Sequence, residues 1–496
     1  MTNDQHLLNS NGNRMMKRKK ILVVTMQPPR MPGMGGEVRT YYFIKTATEL
    51  GDVTLLSLGG PDGQLPVQPD LAARCAEVIE PVGQPLTQNT VTRPRNRWQS
   101  WGQTLGVFFM PWKNGWRNFL EYCVQHCSPS PTVQNKNLKW TKRALSKCLR
   151  AEFYILSHWF KLPPLTAFMF FRSYETIKPA IDRMLEQKQF DLVWIENTIT
   201  YPFAREIIGK LPMPKPPIVC SAQNIETLVY QRVAANAKTN QERRFAENQT
   251  KLMRKVEVEA YQVSDLVIQC SKQDAELGRE MVPNTEFCVV GNGVNLDYFQ
   301  PASDSRPHDQ PTIVFTAGFG YGPNREGLVY FLKEIFPLIQ NELPQVRFLF
   351  AGSEANEFWQ QLEIDDPSIE CVSSPEDIRP YFEQAWVYVV PLLAGGGTRL
   401  KILEAMSMQR AIVSTSLGAE GIPCENGKHL LLADTPETFA KSVLTLLADP
   451  TQREALQNEA SAWVKEHYSW DLLCEQAKQK LQSQFAEILE TTAPRA

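Results

Sequence analysis

Short apolar runs punctuate the chain at intervals too long for hairpins. ILVVTM (21–26), VTLLSL (53–58), DLVWIE (191–196), PIVCSA (217–222), DLVIQC (265–270) and FCVVGNG (287–293) are rich in β-branched residues and bounded by turn formers. Unbroken apolar runs of this length predict strands buried on both faces of a parallel sheet. The stretches between them are long enough for crossover helices. The pattern then restarts with PTIVFTAG (311–318), VRFLFAG (346–352), WVYVVP (386–391), AIVSTS (411–416) and HLLLAD (429–434). Within this second set, EGLVYFLKEIFPLIQNEL (326–343) has the pattern of a helix. A linker rich in Pro, Ser and Asp, DYFQPASDSRPHDQP (297–311), separates the two sets. The prediction is an α/β protein of two doubly wound, Rossmann-like domains, spanning 21–300 and 306–472. A final helix over 473–496 is expected to pack back toward the N-terminal domain. Residues 1–20 are polar and end in Lys17, Arg18, Lys19 and Lys20; they predict a disordered basic tail.

Composition narrows the class. At about 100–200 residues per domain, 496 residues suit two large domains. The formal net charge of −2 supplies no global field toward nucleic acid, so no nucleic-acid partner is expected. The ten cysteines include no C-x-x-C pair, and Cys123, His126 and Cys127 have a poor metal-ligand spacing. Reduced thiols in a cytoplasmic protein are expected. No run reaches the ~18–20 apolar residues of a membrane span. ILVVTM falls short of the about 7–15 residues of a signal-peptide core.

One stretch carries most of the chemistry: VVPLLAGGGTRLKILEAMSMQRAIVSTSLGAEGI (389–422). A strand ends at Pro391, and Gly395, Gly396 and Gly397 follow, with a helix predicted from about Thr398. Glycines let backbone N–H groups approach an anion closely. The helix N-terminus adds unpaired donors and about half a positive charge, which together make a diphosphate cradle. Thr398, Lys401 and Glu404 fall at three-residue intervals, on roughly one helix face. Arg399 and Lys401 supply charge to a pyrophosphate, and Glu404 lies far enough along to accept from a ribose.

This stretch resembles the donor motif of group-1 glycosyltransferases, family 4. TIVFTAGFGYGPNREGLVYFL, RFLFAGSE, the GGGTRLKILEAM block, STSLGAEGI and ADTPETFA occur in that family's order. The N-terminal half matches only in pieces: ILVVTMQPP with GMGGEVR, QNIE and GNGVNLDYF. The resemblance implies a GT-B arrangement of two domains facing a cleft, transfer with retention, and no metal or cofactor. It also implies that the loop MPGMGGEVRT (31–40) reaches toward the donor, with Gly35 and Gly36 giving backbone access and Arg39, at its end, forming with Glu226 the expected catalytic pair. Glu226 is implied at the acceptor hydroxyl, although a carboxylate there also suits a helix N-terminus. Glu404 matches the second glutamate of the family's pair, which holds the ribose. The first falls on Gly396, the family's phosphate-binding arginine falls near Phe319, and its histidine falls on Gln223. Glutamine carries no proton, so no histidine-type acid–base role is expected there. Glu420, in GAEGI, suits a donor contact or a helix cap equally.

The implied partners are a UDP- or GDP-linked sugar donor and a glycan or lipid-linked acceptor, with hexose transfer in surface polysaccharide synthesis as the setting. A nucleotide-sugar epimerase of the same fold, and a non-catalytic sugar-nucleotide-binding subunit, remain open on these residues.

The region from about 85 to 185 departs from the strand–helix rhythm. Trp98, Trp101 and Trp112 stand among Arg93, Arg95, Arg97 and Lys113. Aromatic and basic residues in that mixture suit either packing on the domain or peripheral contact with the inner membrane's cytoplasmic face. Each basic residue near an anionic surface gains about 1 kcal/mol. Flotation with anionic vesicles is therefore expected to show association at low salt that fades as salt rises. No association at low salt assigns the segment to packing.

Overall fold

The computed structural model describes residues 18–26, 28–31, 33, 35–59, 66–81, 171–237, 239–302, 308–394 and 399–489. The N-terminal half forms a parallel sheet from β1 (Lys19–Thr25), β2 (Gly51–Ser57), β3 (Glu77–Ile79), β4 (Leu192–Glu196), β5 (Ile218–Ser221), β6 (Leu266–Gln269) and β7 (Phe287–Val289). Its spatial order is β3-β2-β1-β4-β5-β6-β7. The C-terminal half forms a second parallel sheet from β8 (Thr312–Thr316), β9 (Arg347–Gly352), β10 (Ile369–Ser373), β11 (Val387–Val390), β12 (Ala411–Ser414) and β13 (Leu431–Leu432). Its order, β10-β9-β8-β11-β12-β13, repeats the same doubly wound plan. The order reverses between β1 and β4 and again between β8 and β11. Ligands of such sheets bind beyond the carboxyl ends of the strands at those reversals.

The apolar runs form strands because both faces of each sheet are covered. In β1, Leu22 and Val24 enter one core with Tyr174, Tyr201 and Ile207, while Ile21 and Val23 enter another with Phe43, Trp194 and Trp470. Two strands lacked an apolar run: Glu77–Ile79 and Ile369–Ser373 lie at sheet edges and are only partly buried. A partly exposed strand needs no continuous apolar sequence, whereas the edge strands β7 and β13 carry apolar runs.

Several boundaries shift for physical reasons. Lys19 and Lys20 belong to β1 rather than to the tail, paired with Gly51 and Asp52, and the Lys20 N–H donates to Asp191 at 2.7 Å. The helix expected over 326–343 starts at Gly322 and reaches Glu342 through a wider turn at Phe331–Ile335, just before Pro337. Proline brings no backbone donor, and a wider turn accommodates the gap. Residues 82–170, with the tryptophans and the cysteine–histidine cluster named above, lie outside the described residues. The end of that region, Phe171–Gln187, is a helix that puts Tyr174, Ile177, Ile181 and Met184 into the core.

Six helices bear on the site: α1 (Gly35–Leu50), α2 (Glu226–Ala235), α3 (Asn240–Val263), α4 (Gly322–Tyr330), α5 (Leu400–Ser407) and α6 (Trp470–Gln484). The last begins before residue 473 because the Ser469 hydroxyl caps it, accepting from Leu472 N–H at 3.1 Å. It lies on the N-terminal domain. Trp470 stacks on Tyr42 with centroids 4.7 Å apart, and Lys478 pairs with Glu49 at 3.4 Å. No helix of the described residues is long and apolar enough to cross a membrane.

The loop after β8 is laid along the end of β9. Ala317 N–H donates to Ala351 O at 3.0 Å and Phe319 N–H to Ser353 O at 2.8 Å. Gly352 makes this possible: its φ is +148°, and a Cβ there would sit 1.8 Å from Ala317 O. Gly352→Ala is expected to cost at least about 2 kcal/mol, through left-handed strain and displacement of the loop. Urea unfolding of the variant checks this; an unchanged midpoint overturns it.

Candidate active site

The C-terminal half of the site is built where β11 hands over to α5. Residues 395–398, including the expected cradle residues Gly395, Gly396, Gly397 and Thr398, lie outside the described residues. Arg399 is the N-cap of α5, and no described side chain caps that helix. Its first N–H groups therefore retain the partial positive charge of an open helix start. Arg399 is nearly buried, and burial lowers its pKa. Lys401 donates to Asn324 Oδ1 at 2.9 Å and lies 4.6 Å from the centre of the Phe315 ring. Burial, then the neighbouring Arg399, brings its pKa down to about 7. Glu404 is pushed up to about 7 by burial, against the pull of Lys401, and its carboxylate accepts no hydrogen bond from a described residue. Arg399, Lys401 and Glu404 thus share a partly dry site, and Glu420 also acts electrostatically on Arg399.

The N-terminal half is built at the start of α1. The Gln223 side chain donates from Nε2 to Gly36 O at 3.1 Å and to Thr40 Oγ1 at 3.3 Å. A Cβ on Gly36 would meet Gln223 Oε1 at 2.4 Å, so only glycine admits this bridge. Behind it, Glu196 accepts from Thr40, Ser221 and Trp194, and burial raises it to about 7. A Cβ on Gly35 would lie 3.0 Å from Leu400 Cδ1. The starts of α1 and α5, one from each domain, therefore face each other in contact.

The structure separates the expected catalytic pair. Arg39 is fully buried and turned into its own domain: Nη1 donates to Val290 O at 3.0 Å, Gly291 O at 3.1 Å and Asn292 Oδ1 at 2.7 Å, with the guanidinium 4.2 Å from the Phe43 ring centre. It ties α1 to the exit of β7 instead of lining the cleft, because its helical position shares the buried stripe of Val38, Tyr42 and Phe43. Glu226 stays at the cleft. Glu257 of α3 caps α2 in its place, accepting from Glu226 N–H at 2.6 Å, from Thr227 N–H at 3.1 Å and from the Thr227 hydroxyl. That leaves the Glu226 carboxyl with one described donor, Asn224 Nδ2 at 3.2 Å, and burial raises its pKa.

Sequence reasoning missed Asn324, Tyr321 and Arg232. Burial raises the Tyr321 phenol, and Arg399, Glu226 and Arg232 act on it electrostatically, so it stands between the two halves. Its ring remains 46% exposed. PN at 323–324, after the β8 loop, was the available signal for Asn324; nothing local marks the other two. Glu420 pairs with Arg232 rather than capping a helix. His429 accepts from Glu425 N–H at 3.0 Å and stacks on Trp463 at 4.6 Å.

Residues 310–449 match the family model described as glycosyl transferases group 1. The match lies in the C-terminal half of the chain. A protein from the cps region of Klebsiella pneumoniae, of 44.6 kDa and described as uncharacterized, is 26% identical over 163 residues, or 32% of this chain and 42% of that protein. The match spans less than half of that relative's length. Among solved structures, sucrose-phosphate synthase from Thermosynechococcus elongatus is similar with a TM-score of 0.62 and 15% identity, over 95% of this chain and all of that one. HepE of Anabaena, solved with UDP and glucose, is similar with a TM-score of 0.56 and 11% identity, over 94% and 100%. A glycosyltransferase of Rickettsia africae follows with 0.53 and 12%, over 96% and 100%. Identities this low show the fold, which is GT-B.

The depressed Lys401 gives a readout of anion binding. With a pKa of about 7 it is mostly neutral at pH 8. A diphosphate beside it favours the charged form and raises the pKa, so binding takes up a proton. Titration calorimetry of UDP or GDP at pH 8, in two buffers of different ionisation enthalpy, is expected to show uptake that Lys401→Met abolishes. Equal uptake in the variant assigns the proton elsewhere.

Proposed function

We propose that this protein is a retaining glycosyltransferase that moves a hexose from a UDP- or GDP-linked donor to a glycan or lipid-linked acceptor. The observation that carries the reading is the uncapped start of α5, with Arg399, Lys401 and Glu404, set against the start of α1 across the cleft. That arrangement calls for a ligand with two negative charges and a ribose. The group-1 match over the C-terminal domain supports a nucleotide-sugar donor, and HepE of the same fold was solved with UDP and glucose. The relative in a cps region supports surface polysaccharide synthesis as the setting.

In this reading Arg399, Lys401 and the N–H groups of α5 hold the diphosphate, with Gly395, Gly396, Gly397 and Thr398 completing the cradle. Glu404 accepts from the ribose hydroxyls. Gly35 and Gly36 bring the α1 backbone to the transferred sugar, and Glu226 receives the acceptor hydroxyl. Bond breaking at the anomeric carbon sends charge onto the departing diphosphate. The acceptor oxygen bonds the same carbon from the same face, and its proton passes to the diphosphate. Catalysis then rests on positioning and charge stabilisation, which suits a site with glutamine in place of histidine at 223. No metal or cofactor is invoked. Action at the cytoplasmic face of the membrane belongs to the same proposal.

Charge-assisted hydrogen bonds are worth roughly 1.5–3 kcal/mol each, and about 1.4 kcal/mol is tenfold in affinity. Glu404→Ala is therefore expected to weaken binding of both the nucleoside diphosphate and the free nucleoside at least tenfold. Arg399→Ala and Lys401→Ala are expected to weaken the diphosphate and leave the nucleoside nearly unchanged. Calorimetry with UDP, GDP, uridine and guanosine separates the two patterns. Wild-type binding by Glu404→Ala removes the donor from this site.

A further inference from the structure

One ion pair joins the two domains across the cleft. Arg232 of α2 donates from Nη1 and Nη2 to the two carboxylate oxygens of Glu420, both at 2.7 Å, across 188 residues of sequence. The side chains are only 22% and 24% exposed. Among ion pairs between described residues, it alone links the two sheet domains, apart from those made by α6. A bidentate fork fixes direction as well as distance, which a single lysine contact would not.

Both ends of the pair are anchored to the site. Glu420 stands on a stiff turn after β12: Gly418 N–H donates to Thr415 Oγ1 at 2.8 Å, and that hydroxyl donates to Leu392 O at 2.6 Å. A Cβ on Gly418 would meet Ser414 Oγ at 2.5 Å and Val390 O at 2.6 Å, so the turn is pressed onto the ends of β11 and β12. Leu392 leads directly into the segment that starts α5. At the other end, Arg232 lies on the helix whose first residue is Glu226 and whose start Glu257 holds. The pair therefore ties the helix that presents Glu226 to the strand ends that present Arg399, Lys401 and Glu404.

We propose that Arg232 and Glu420 form a clasp that sets the closed register of the cleft, acting as positioning residues for the halves they join. The inference rests on reading those halves as donor and acceptor sides, but the clasp itself is tested without that reading.

Small-angle scattering of the full chain without nucleotide compares wild type, Arg232→Ala, Glu420→Ala and the exchange Arg232→Glu with Glu420→Arg. Each single variant is expected to give a larger radius of gyration, and the exchange is expected to return toward wild type. If a single variant does not fold, Arg232→Lys replaces it, keeping the charge while losing the fork. With an acceptor in hand, the single variants are expected to lower kcat at least tenfold, with UDP affinity within about threefold of wild type and recovery in the exchange. Identical scattering by all variants overturns the clasp, as does an exchange that folds as wild type and stays open. Closure that follows the clasp in a protein that binds neither UDP nor GDP leaves the clasp standing and removes the donor reading.

Discussion

The constraint on which the site depends is charge held in a partly dry place. Parallel sheets deliver every strand end, and the first turn of every following helix, to one edge of a domain. In this protein two such edges meet. No described side chain caps the start of α5, and burial works against the charge of both Arg399 and Lys401. Charges kept from water favour an anion beside them, and a helix start supplies backbone donors to one. Glu404 beside them limits that demand and gives the site a second kind of acceptor, suited to hydroxyls rather than to phosphate.

Close backbone approach is the second requirement, and glycines meet it where nothing larger fits. Gly352 lets the β8 loop lie on the end of β9, which sets the start of α4 and with it Asn324, the partner of Lys401. Gly36 lets Gln223 bridge to the start of α1. A side chain at 352 would move the β8 loop, and one at 36 would displace the Gln223 amide.

Two contacts join the two halves. The C-terminal helix returns to the first domain and seats Trp470 in its core against Tyr42. That contact buries a large aromatic surface and suits a permanent hinge. The Arg232–Glu420 pair joins the halves elsewhere and is partly solvated.

The sequence by itself determined the sheets. Burial on both faces writes an unbroken apolar run into each central strand, and that signal is local, so β1, β2, β4, β8, β9 and β11 were legible from residue order alone. The edge strands at 77–79 and 369–373 were not, because they are only partly buried and carry no such run. The helix that carries Lys401 and Glu404 was legible too, since a strand end, glycines and a helix start follow one another within a few residues. Tertiary structure decided the rest. Only packing shows that Arg39 faces its own core, or that Glu257, 31 residues along from Glu226, takes over the cap and leaves Glu226 at the cleft. Only packing brings Arg232 to Glu420. Periodicity records which face of an element is buried, but which distant charge meets it there depends on how the crossovers close.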